Sequence, residues 1–330
     1  MISIVKIIEK VKYFFDFNKE FYYQNTIGEL FSENVILNNN VIDFKISNNF
    51  IFCQKKELIE VINFTGNCLT QFTGNYFLTK SFNDSSYFYI LKEDLDKDSY
   101  YKFNAKLEVK EVDWNDNFIK EIFNTFYISI VQNKFSCNEL NSGKSIWQQS
   151  FSDLLPSQET EEISISQEII EISNIIYFTL NTNNQNICFG LDAQTGKVVK
   201  QFPNILGDLI QENEFIYFLH YNNITRLNTT NDTIEKWDIQ DLLDKEDIGY
   251  LYFPRWAVLD GQIYFSQTKG SDIHSGKIGA RFGVLDFNKR ELIFKDQLDP
   301  KYGTIGSIKV SKERLYLHTQ DSTLHVFEKE

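Results

Sequence analysis

The chain is poor in the residues that mark several common protein classes. Its 330 residues include only four cysteines, four histidines, four prolines and one methionine. Cys53, Cys68, Cys137 and Cys188 lie far apart, so no CxxC pair with metal-ligand or redox spacing exists. Cys53, Cys137 and Cys188 fall within apolar strand patterns, and we expect them to be buried free thiols.

Long apolar runs are also missing. The amino-terminal stretch MISIVKIIEKVKYFFDF is interrupted by Lys6, Glu9, Lys10 and Lys12, whereas an export signal needs about 7–15 apolar residues in succession. No later segment approaches the roughly 20 apolar residues that a membrane-spanning helix requires. We therefore expect a cytoplasmic protein without a membrane partner.

Positive charge is scarce as well. Lysine and arginine together number 33 against 46 aspartates and glutamates, which gives a net charge of −13. Because an acidic surface repels the phosphate backbone, we expect no nucleic-acid partner. The same charge would attract and steer a basic protein, although it could equally serve only solubility.

Aromatic and β-branched residues, by contrast, are abundant and recur in short alternating strands. Residues 175–202 contain two such strands, a polar turn and a third strand. In the turn, Asp192 can accept hydrogen bonds from nearby backbone N–H groups, and Gly196 can adopt a positive φ. The pattern predicts a β-meander.

The central strand of this meander recurs along the chain, each time with a tyrosine. Tyr127, Tyr177, Tyr217, Tyr264 and Tyr316 are separated by 50, 40, 47 and 52 residues. A period of this length with three or four short strands is typical of a β-propeller. With two earlier copies near residues 44–72 and 75–103, the sequence predicts an all-β protein: a single propeller domain of seven antiparallel four-stranded blades. Six or eight blades are the alternatives, because the spacing between the first two copies is short.

The last copy, residues 305–327, ends after its third strand. Because a propeller must not leave open sheet edges, we expect an amino-terminal strand within residues 29–45 to complete the final blade and close the ring. The blades then occupy residues 46–328, and residues 1–28 form an amino-terminal extension. Near its start the extension is compatible with either helix or strand.

The turn itself resembles a known repeat. LDAQTGK (residues 191–197) is similar to the Leu-Asp-x-x-Thr-Gly-Lys-x-x-Trp pattern of the PQQ-like, quinoprotein-type propellers, and Gly143, Lys144 and Trp147 keep part of it. The resemblance, which spans roughly residues 46–328, implies that Trp147 docks on the neighbouring blade. Lys200 and Thr70 stand where that tryptophan is expected.

The resemblance also suggests an enzymatic alternative, a quinone-dependent dehydrogenase. Those enzymes are longer, exported and typically eight-bladed, and they hold the quinone with a stacking tryptophan, calcium and a disulfide between adjacent cysteines. No cysteines are adjacent here, and no Gly-x-Ser-x-Gly elbow is present. We therefore expect a non-enzymatic member of the family without a cofactor or metal.

An acidic stretch, DLLDKEDIGYLYFPRW (residues 241–256), carries the first group of candidate partner-binding residues. Aromatic and arginine side chains are common interface anchors, and acidic ones would meet a basic partner. We assign Asp244, Glu246, Asp247, Arg255 and Trp256 to this surface. Tyr250 and Tyr252 are expected to enter the next strand and pack in the core.

Two further loops supply the remaining candidates. The Gly-rich segment 270–281 carries His274, Lys277 and Arg281; its glycine spacing and the absence of a following helix rule out a phosphate loop, and it is either a recognition loop or a loop without a task. Asp94, Asp96 and Asp98 alternate as in a calcium loop, but Ser99 and Ala105 stand where glycine and glutamate are needed. This segment is therefore predicted to be an acidic hairpin turn.

The sequence accordingly predicts a non-catalytic, protein-binding propeller. One specific form is an immunity protein that neutralises a toxin domain, for example a basic nuclease. The alternative is an assembly scaffold resembling the envelope-assembly propellers. Fold alone does not distinguish these functions.

Overall fold

The computed structural model describes residues 2–17, 20–47, 50–78, 87–92, 99–104, 106–112, 114, 119–155, 163–182, 185–251, 255–267 and 277–329. The described residues form eight antiparallel sheets. Seven of them consist of strands that follow one another in the chain, whereas the eighth joins the first strand of the chain to its last three. The fold is therefore an all-β propeller of eight four-stranded blades.

The chain starts with a strand of the last blade and then builds four blades in order. Their strands are β1 (Ile2–Ile8), of blade 8; β2 (Val11–Phe17), β3 (Glu20–Asn25), β4 (Leu30–Ser32) and β5 (Val35–Asn38), of blade 1; β6 (Asp43–Ile46), β7 (Ile51–Lys55), β8 (Leu58–Ile62) and β9 (Cys68–Thr73), of blade 2; β10 (Tyr76–Leu78), β11 (Tyr87–Lys92), β12 (Ser99–Asn104) and β13 (Val109–Val112), of blade 3; and β14 (Ile119–Ile122), β15 (Phe126–Val131), β16 (Lys134–Glu139) and β17 (Ser145–Ser150), of blade 4.

The remaining blades follow after a short helix, α1 (Phe151–Leu154). Their elements are β18 (Ser164–Ile165), β19 (Ile170–Ile172), β20 (Ile175–Asn181), β21 (Asn186–Asp192) and β22 (Val198–Pro203), of blade 5; β23 (Asp208–Glu212), β24 (Phe215–His220), β25 (Asn223–Asn228) and β26 (Ile234–Asp238), of blade 6; the helix α2 (Gln240–Lys245); β27 (Trp256–Leu259), β28 (Gln262–Ser266), β29 (Arg281–Asp286) and β30 (Glu291–Gln297), of blade 7; a 3-10 helix (Pro300–Tyr302); and β31 (Ile305–Val310), β32 (Arg314–Thr319) and β33 (Leu324–Lys329), of blade 8. In blade 5, β18 and β19 both pair with β20 and share the position of the first strand.

Burial within a blade follows strand position. The second and third strands are largely buried, as in β24 and β25, whereas the fourth alternates between exposed and half-buried residues, as in β26. In seven blades the second strand carries a tyrosine that is at most 2% exposed, and in blade 2 Phe52 takes this position. These aromatics are Tyr22, Phe52, Tyr89, Tyr127, Tyr177, Tyr217, Tyr264 and Tyr316. Burial of such a side chain contributes roughly 1.5–3 kcal/mol of transfer free energy.

The predicted number of seven blades is wrong, because residues 11–38 form a complete blade. Within it Tyr23 pairs with Phe31, and Ser32 pairs with Val35. Residues 29–45 therefore belong to blades 1 and 2, and they do not complete the final blade. The amino terminus is strand, not helix, from its first described residue.

An amino-terminal strand does complete blade 8, but it consists of residues 2–8. β1 runs antiparallel to β33, with Ile4 opposite Phe327 and Ile7 opposite His325. Blade 8 therefore has the strand order β1-β33-β32-β31, with β1 at the sheet edge. The closing strand was misplaced because both segments alternate in a way that fits an edge strand, and alternation does not identify the neighbour.

The turn that led to the family resemblance has the predicted chemistry. The carboxylate of Asp192 accepts the backbone N–H of Thr195 at 2.8 Å and its hydroxyl at 2.7 Å. Both hydrogen bonds lower the pKa of Asp192, and the one from the Thr195 hydroxyl has the larger effect. Gly196 has φ +69°, the left-handed conformation that glycine adopts without strain.

The chain divides into two compact units. One comprises residues 1–11, 164–190 and 200–330, and the other comprises residues 12–163 and 191–199. Each has its own buried clusters, for instance around Tyr217 and Phe265 in the first and around Tyr89 and Trp114 in the second. The organisation as a single domain stays a prediction.

All four cysteines are free thiols, and Cys53, Cys137 and Cys188 are buried as predicted, whereas Cys68 is exposed. Among the helices in the described ranges, none has the length and apolar character that crossing a membrane requires.

Candidate functional site

The link between blades 6 and 7 contains four of the eleven predicted partner-binding residues. We call residues 239–251, which include α2, the acidic segment. Its apolar residues Ile239, Leu243, Ile248 and Leu251 are at most 2% exposed and belong to the buried cluster around Tyr217. Ile239 and Leu243 are one helical turn apart, so α2 turns both toward the core and leaves its charged residues at the surface.

A buried asparagine fixes both ends of the acidic segment. Asn222, in the turn between β24 and β25, is 3% exposed. Its backbone carbonyl accepts the N–H of Ile239 at 2.9 Å, and its side-chain oxygen accepts the N–H of Leu251 at 2.9 Å. Its amide also donates to the side-chain oxygen of Gln240. Backbone groups that a loop would otherwise leave unpaired are thus satisfied.

Blade 7 holds the middle of the acidic segment by charged side chains. Arg281, the first residue of β29, donates to the backbone carbonyl of Asp247 and lies 3.3 Å from its carboxylate. Lys295 of β30 donates to the backbone carbonyl of Glu246 at 2.9 Å and pairs with its carboxylate at 2.9 Å. The hydrogen bond and the charge of Lys295 lower the pKa of Glu246. The segment is therefore a fixed surface and not a free loop.

Between these contacts lies a cleft of about 280 Å³. Its walls carry three carboxylates, of Glu246, Asp247 and Asp296, and two cations, of Arg281 and Lys295. The side chain of Asp247 is 97% exposed despite its ion pair, so it remains available to a second cation. The cleft therefore favours a positively charged group.

An aromatic pair flanks the acidic segment. Tyr250 is 50% exposed, and its ring stacks on that of Tyr221 with the centroids 5.4 Å apart. Tyr221 in turn contacts His220 at 4.0 Å, and burial lowers the pKa of His220. The prediction that Tyr250 packs in the core is wrong, because Gly249 turns the chain at φ +72° and Leu251 takes the buried place. Tyr252 lies outside the described residues.

The structure brings four of the predicted residues together: Asp244, Glu246, Asp247 and Arg281. Asp244 is exposed and accepts from the amide of Gln240 at 2.6 Å.

The other predicted residues have different positions. Arg255 is exposed directly before β27, where its backbone pairs with Ser266. Trp256 is half-buried and packs against the cluster around Tyr217. Lys277 is exposed, whereas His274, Asp94, Asp96 and Asp98 lie outside the described residues.

Sequence reasoning missed Lys295, Asn222 and Tyr221. Lys295 stands in a strand that reads as an ordinary outer strand, and Asn222 lies in a two-residue turn of the preceding blade. Their role depends on contacts across 29 to 49 positions of the chain, and only the three-dimensional arrangement reveals these. The positive φ of 52° at Tyr221 marks the turn, but nothing in the sequence pairs its ring with Tyr250.

The described residues contain no group of three or more histidine, cysteine, aspartate or glutamate side chains that could hold a metal ion. His318 and His325 lie on neighbouring strands, β32 and β33. In the cleft, Glu246 and Asp247 already have cationic partners. The arrangement is suited to recognising charge.

Comparison with known proteins supports the fold. No protein-family model matches the chain, and no curated protein matches it. Similar solved structures include the computationally designed protein Ika8, with a TM-score of 0.60 and 9% identity over 97% of this chain and 96% of that one. They also include BamB from Moraxella catarrhalis, with a TM-score of 0.47 and 10% identity over the full length of both chains. The first likeness shows the fold alone, and the second score is too low to support an inference.

Proposed function

We propose that this protein is a non-catalytic β-propeller that binds a basic protein on its acidic segment. The carrying observation is a set of exposed carboxylates, of Asp241, Asp244 and Asp247, on a segment whose apolar residues are buried. Carboxylates on a mobile loop would lose conformational freedom on binding. The acidic segment is already ordered in the folded protein, so binding would cost it little conformational entropy.

The surroundings of the segment favour the same kind of partner. Tyr250 offers a half-exposed aromatic ring beside the carboxylates, and such rings are common anchors at protein interfaces and accept cations on their faces. The net charge of −13 would accelerate encounter with a basic protein and make it sensitive to salt.

The specific form we favour is an immunity protein that blocks a basic toxin domain. An inhibitor needs a rigid, complementary surface and no chemistry of its own. The acidic segment, held by Asn222, Arg281 and Lys295, meets this need. An assembly scaffold that uses apolar anchors would bind several partners and would depend little on salt.

The first experiment is capture of partners by the tagged protein from its native cell extract, washed at about 50 mM and then at about 500 mM salt. We expect one basic protein in near-equal amount that the high-salt wash releases. Several partners or none would contradict the inhibitor function and favour the scaffold.

The second experiment locates the surface on the captured partner. In the variant Asp241→Asn/Asp244→Asn/Asp247→Asn, three exposed charges worth about 0.5 kcal/mol each are lost, so affinity at low salt should fall about tenfold. The control variant Glu214→Gln/Asp260→Asn/Glu328→Gln removes the same charge from other exposed positions. Equal losses in the two variants would refute the acidic segment as the binding surface.

A further inference from the structure

A buried histidine lies in the core of blade 8. His325 of β33 is 0% exposed, and neither ring nitrogen has a partner among the described residues. Its ring stands at 83° to that of Tyr302, with the centroids 4.4 Å apart. Buried polar groups are nearly always paired, so this residue requires an explanation.

His325 lies directly beside the least buried strand of its blade. In the sheet it stands between Leu317 of β32 and Ile7 of β1. None of the seven residues of β1 is buried, whereas residues 324–327 of β33 all are. An edge strand with few buried contacts is the part of a sheet that opens at the lowest free energy.

We propose that His325 and β1 form an acid-sensitive latch on blade 8. While the imidazole is neutral, β1 stays paired with β33. Protonation places a charge with two N–H donors where none of the described residues offers an acceptor, which is costly in an apolar interior. Detachment of β1 from the sheet edge admits water to the ring and relieves that cost.

The charged groups around His325 do not compensate a proton on the ring. Asp321, in the turn before β33, favours a proton on the ring. Its carboxylate, however, already accepts hydrogen bonds from the hydroxyls of Thr319 at 2.6 Å and Thr323 at 2.9 Å. The charges of His318 on β32 and of Lys301 on the 3-10 helix oppose protonation.

Further charges near this corner of the blade lie on or beside those elements. His318 makes a 2.8 Å contact from Nε2 to the carbonyl of Val11. The ammonium of Lys301 lies 3.9 Å from the carboxylate of Asp299 and interacts electrostatically with Glu9, which follows β1. The strand β1 itself carries Lys6.

The direction of the pH effect follows from burial, which lowers the pKa of His325 from 6.5 to about 4. When β1 is detached and the ring is hydrated, the pKa returns toward 6.5, so the open form binds more protons between these values. The stability of the closed form is therefore complete above about pH 6.5 and is lost progressively as the pH falls toward 4. The opened β33 would then offer unpaired backbone groups to another strand.

Hydrogen exchange read by mass spectrometry between about pH 7 and pH 4, corrected for the intrinsic exchange rate, tests the latch. Protection of residues 2–8 should fall by roughly tenfold per pH unit below about 6.5, because one proton is linked to opening. Residues 262–266 in β28 should keep their protection. In His325→Phe or His325→Leu, residues 2–8 should stay protected throughout.

His318→Gln is the matched control, since it removes a histidine from the adjacent strand and should retain the acid response. An unchanged pH profile in both His325 variants would overturn the proposal. So would simultaneous loss of protection in residues 2–8 and 262–266, because that result indicates global acid unfolding. The readout involves no partner and is independent of the proposed function.

Discussion

At the scale of single residues, contacts between successive blades show how far a sequence motif can be trusted. The resemblance implied that Trp147 docks on the next blade, and its indole N–H indeed donates to the carbonyl of Ala193 at 2.8 Å. Lys200 stands where the next tryptophan was expected, and it docks differently. Its ammonium donates to the carbonyl of Thr229 at 3.1 Å and to the carboxylate of Asp232. The position is used in both blades, although the chemistry changes.

Gly196 is predicted to be intolerant of any side chain, because two effects coincide there. Its φ is +69°, and an added Cβ would lie 2.5 Å from Cδ2 of Trp147. Gly249 has a similar φ of +72°, and an added Cβ there would have no atom of the described residues within 4 Å. Gly249→Ala therefore isolates the backbone cost of about 1–2 kcal/mol. Gly196→Ala should lose a further 1–3 kcal/mol, roughly the cost of overpacking. Urea denaturation of the two variants measures the difference, and equal losses would contradict docking of Trp147.

At the scale of strands, the sequence revealed the repeat better than the number of its copies. Five buried tyrosines were recognisable from the sequence because their spacing is 40–52 residues. The equivalent aromatics of the first three blades are Tyr22, Phe52 and Tyr89, so one of them is a phenylalanine. The successive spacings from Tyr22 to Tyr127 are only 30, 37 and 38 residues. Short blades and a changed residue type concealed one copy, and pairing partners cannot be derived from alternation.

The candidate site was predictable only in part for a related reason. Composition singled out the acidic and basic residues of residues 241–256 and 270–281, and Glu246, Asp247 and Arg281 do meet at one cleft. The side chains that fix them, Asn222 and Lys295, come from strands and turns whose sequences carry no distinguishing pattern. Local pattern indicates which residues are unusual, whereas the fold decides which of them meet.

Asn222 is predicted to determine the order of the acidic segment. In Asn222→Ala the N–H of Leu251 loses its acceptor in a buried place, which costs about 1–3 kcal/mol. Because the loss falls on the segment, amide exchange of residues 243–251 should accelerate more than that of β24 and β25. Asn223→Ala changes the neighbouring exposed residue and should leave exchange unaltered. Uniform acceleration in Asn222→Ala would show that Asn222 stabilises the blade in general and not the segment.

At the scale of the whole molecule, thiol reactivity reports on folding. Cys53, Cys137 and Cys188 are buried, and burial raises the pKa of each, to about 12 for Cys137. Cys68 is exposed, with a pKa raised first by desolvation and then by the carboxylate of Glu60. Since the thiolate is the reactive form, a chromogenic disulfide reagent should titrate one thiol slowly in the native protein, faster at higher pH, and four thiols in denaturant. More than one reactive thiol in the native protein would contradict the packing of the blades.

The reactivity of the buried thiols also tests whether the chain unfolds as the single domain that its repeats predict. Cys53 and Cys137 lie in one compact unit and Cys188 in the other. In a propeller each blade is stabilised by its neighbours, so the blades of one domain should lose protection together. Alkylation at increasing urea concentrations, quantified for each cysteine by mass spectrometry, should therefore give one common midpoint. A midpoint for Cys188 separate from a shared midpoint for Cys53 and Cys137 would mean that the two units are domains that unfold independently.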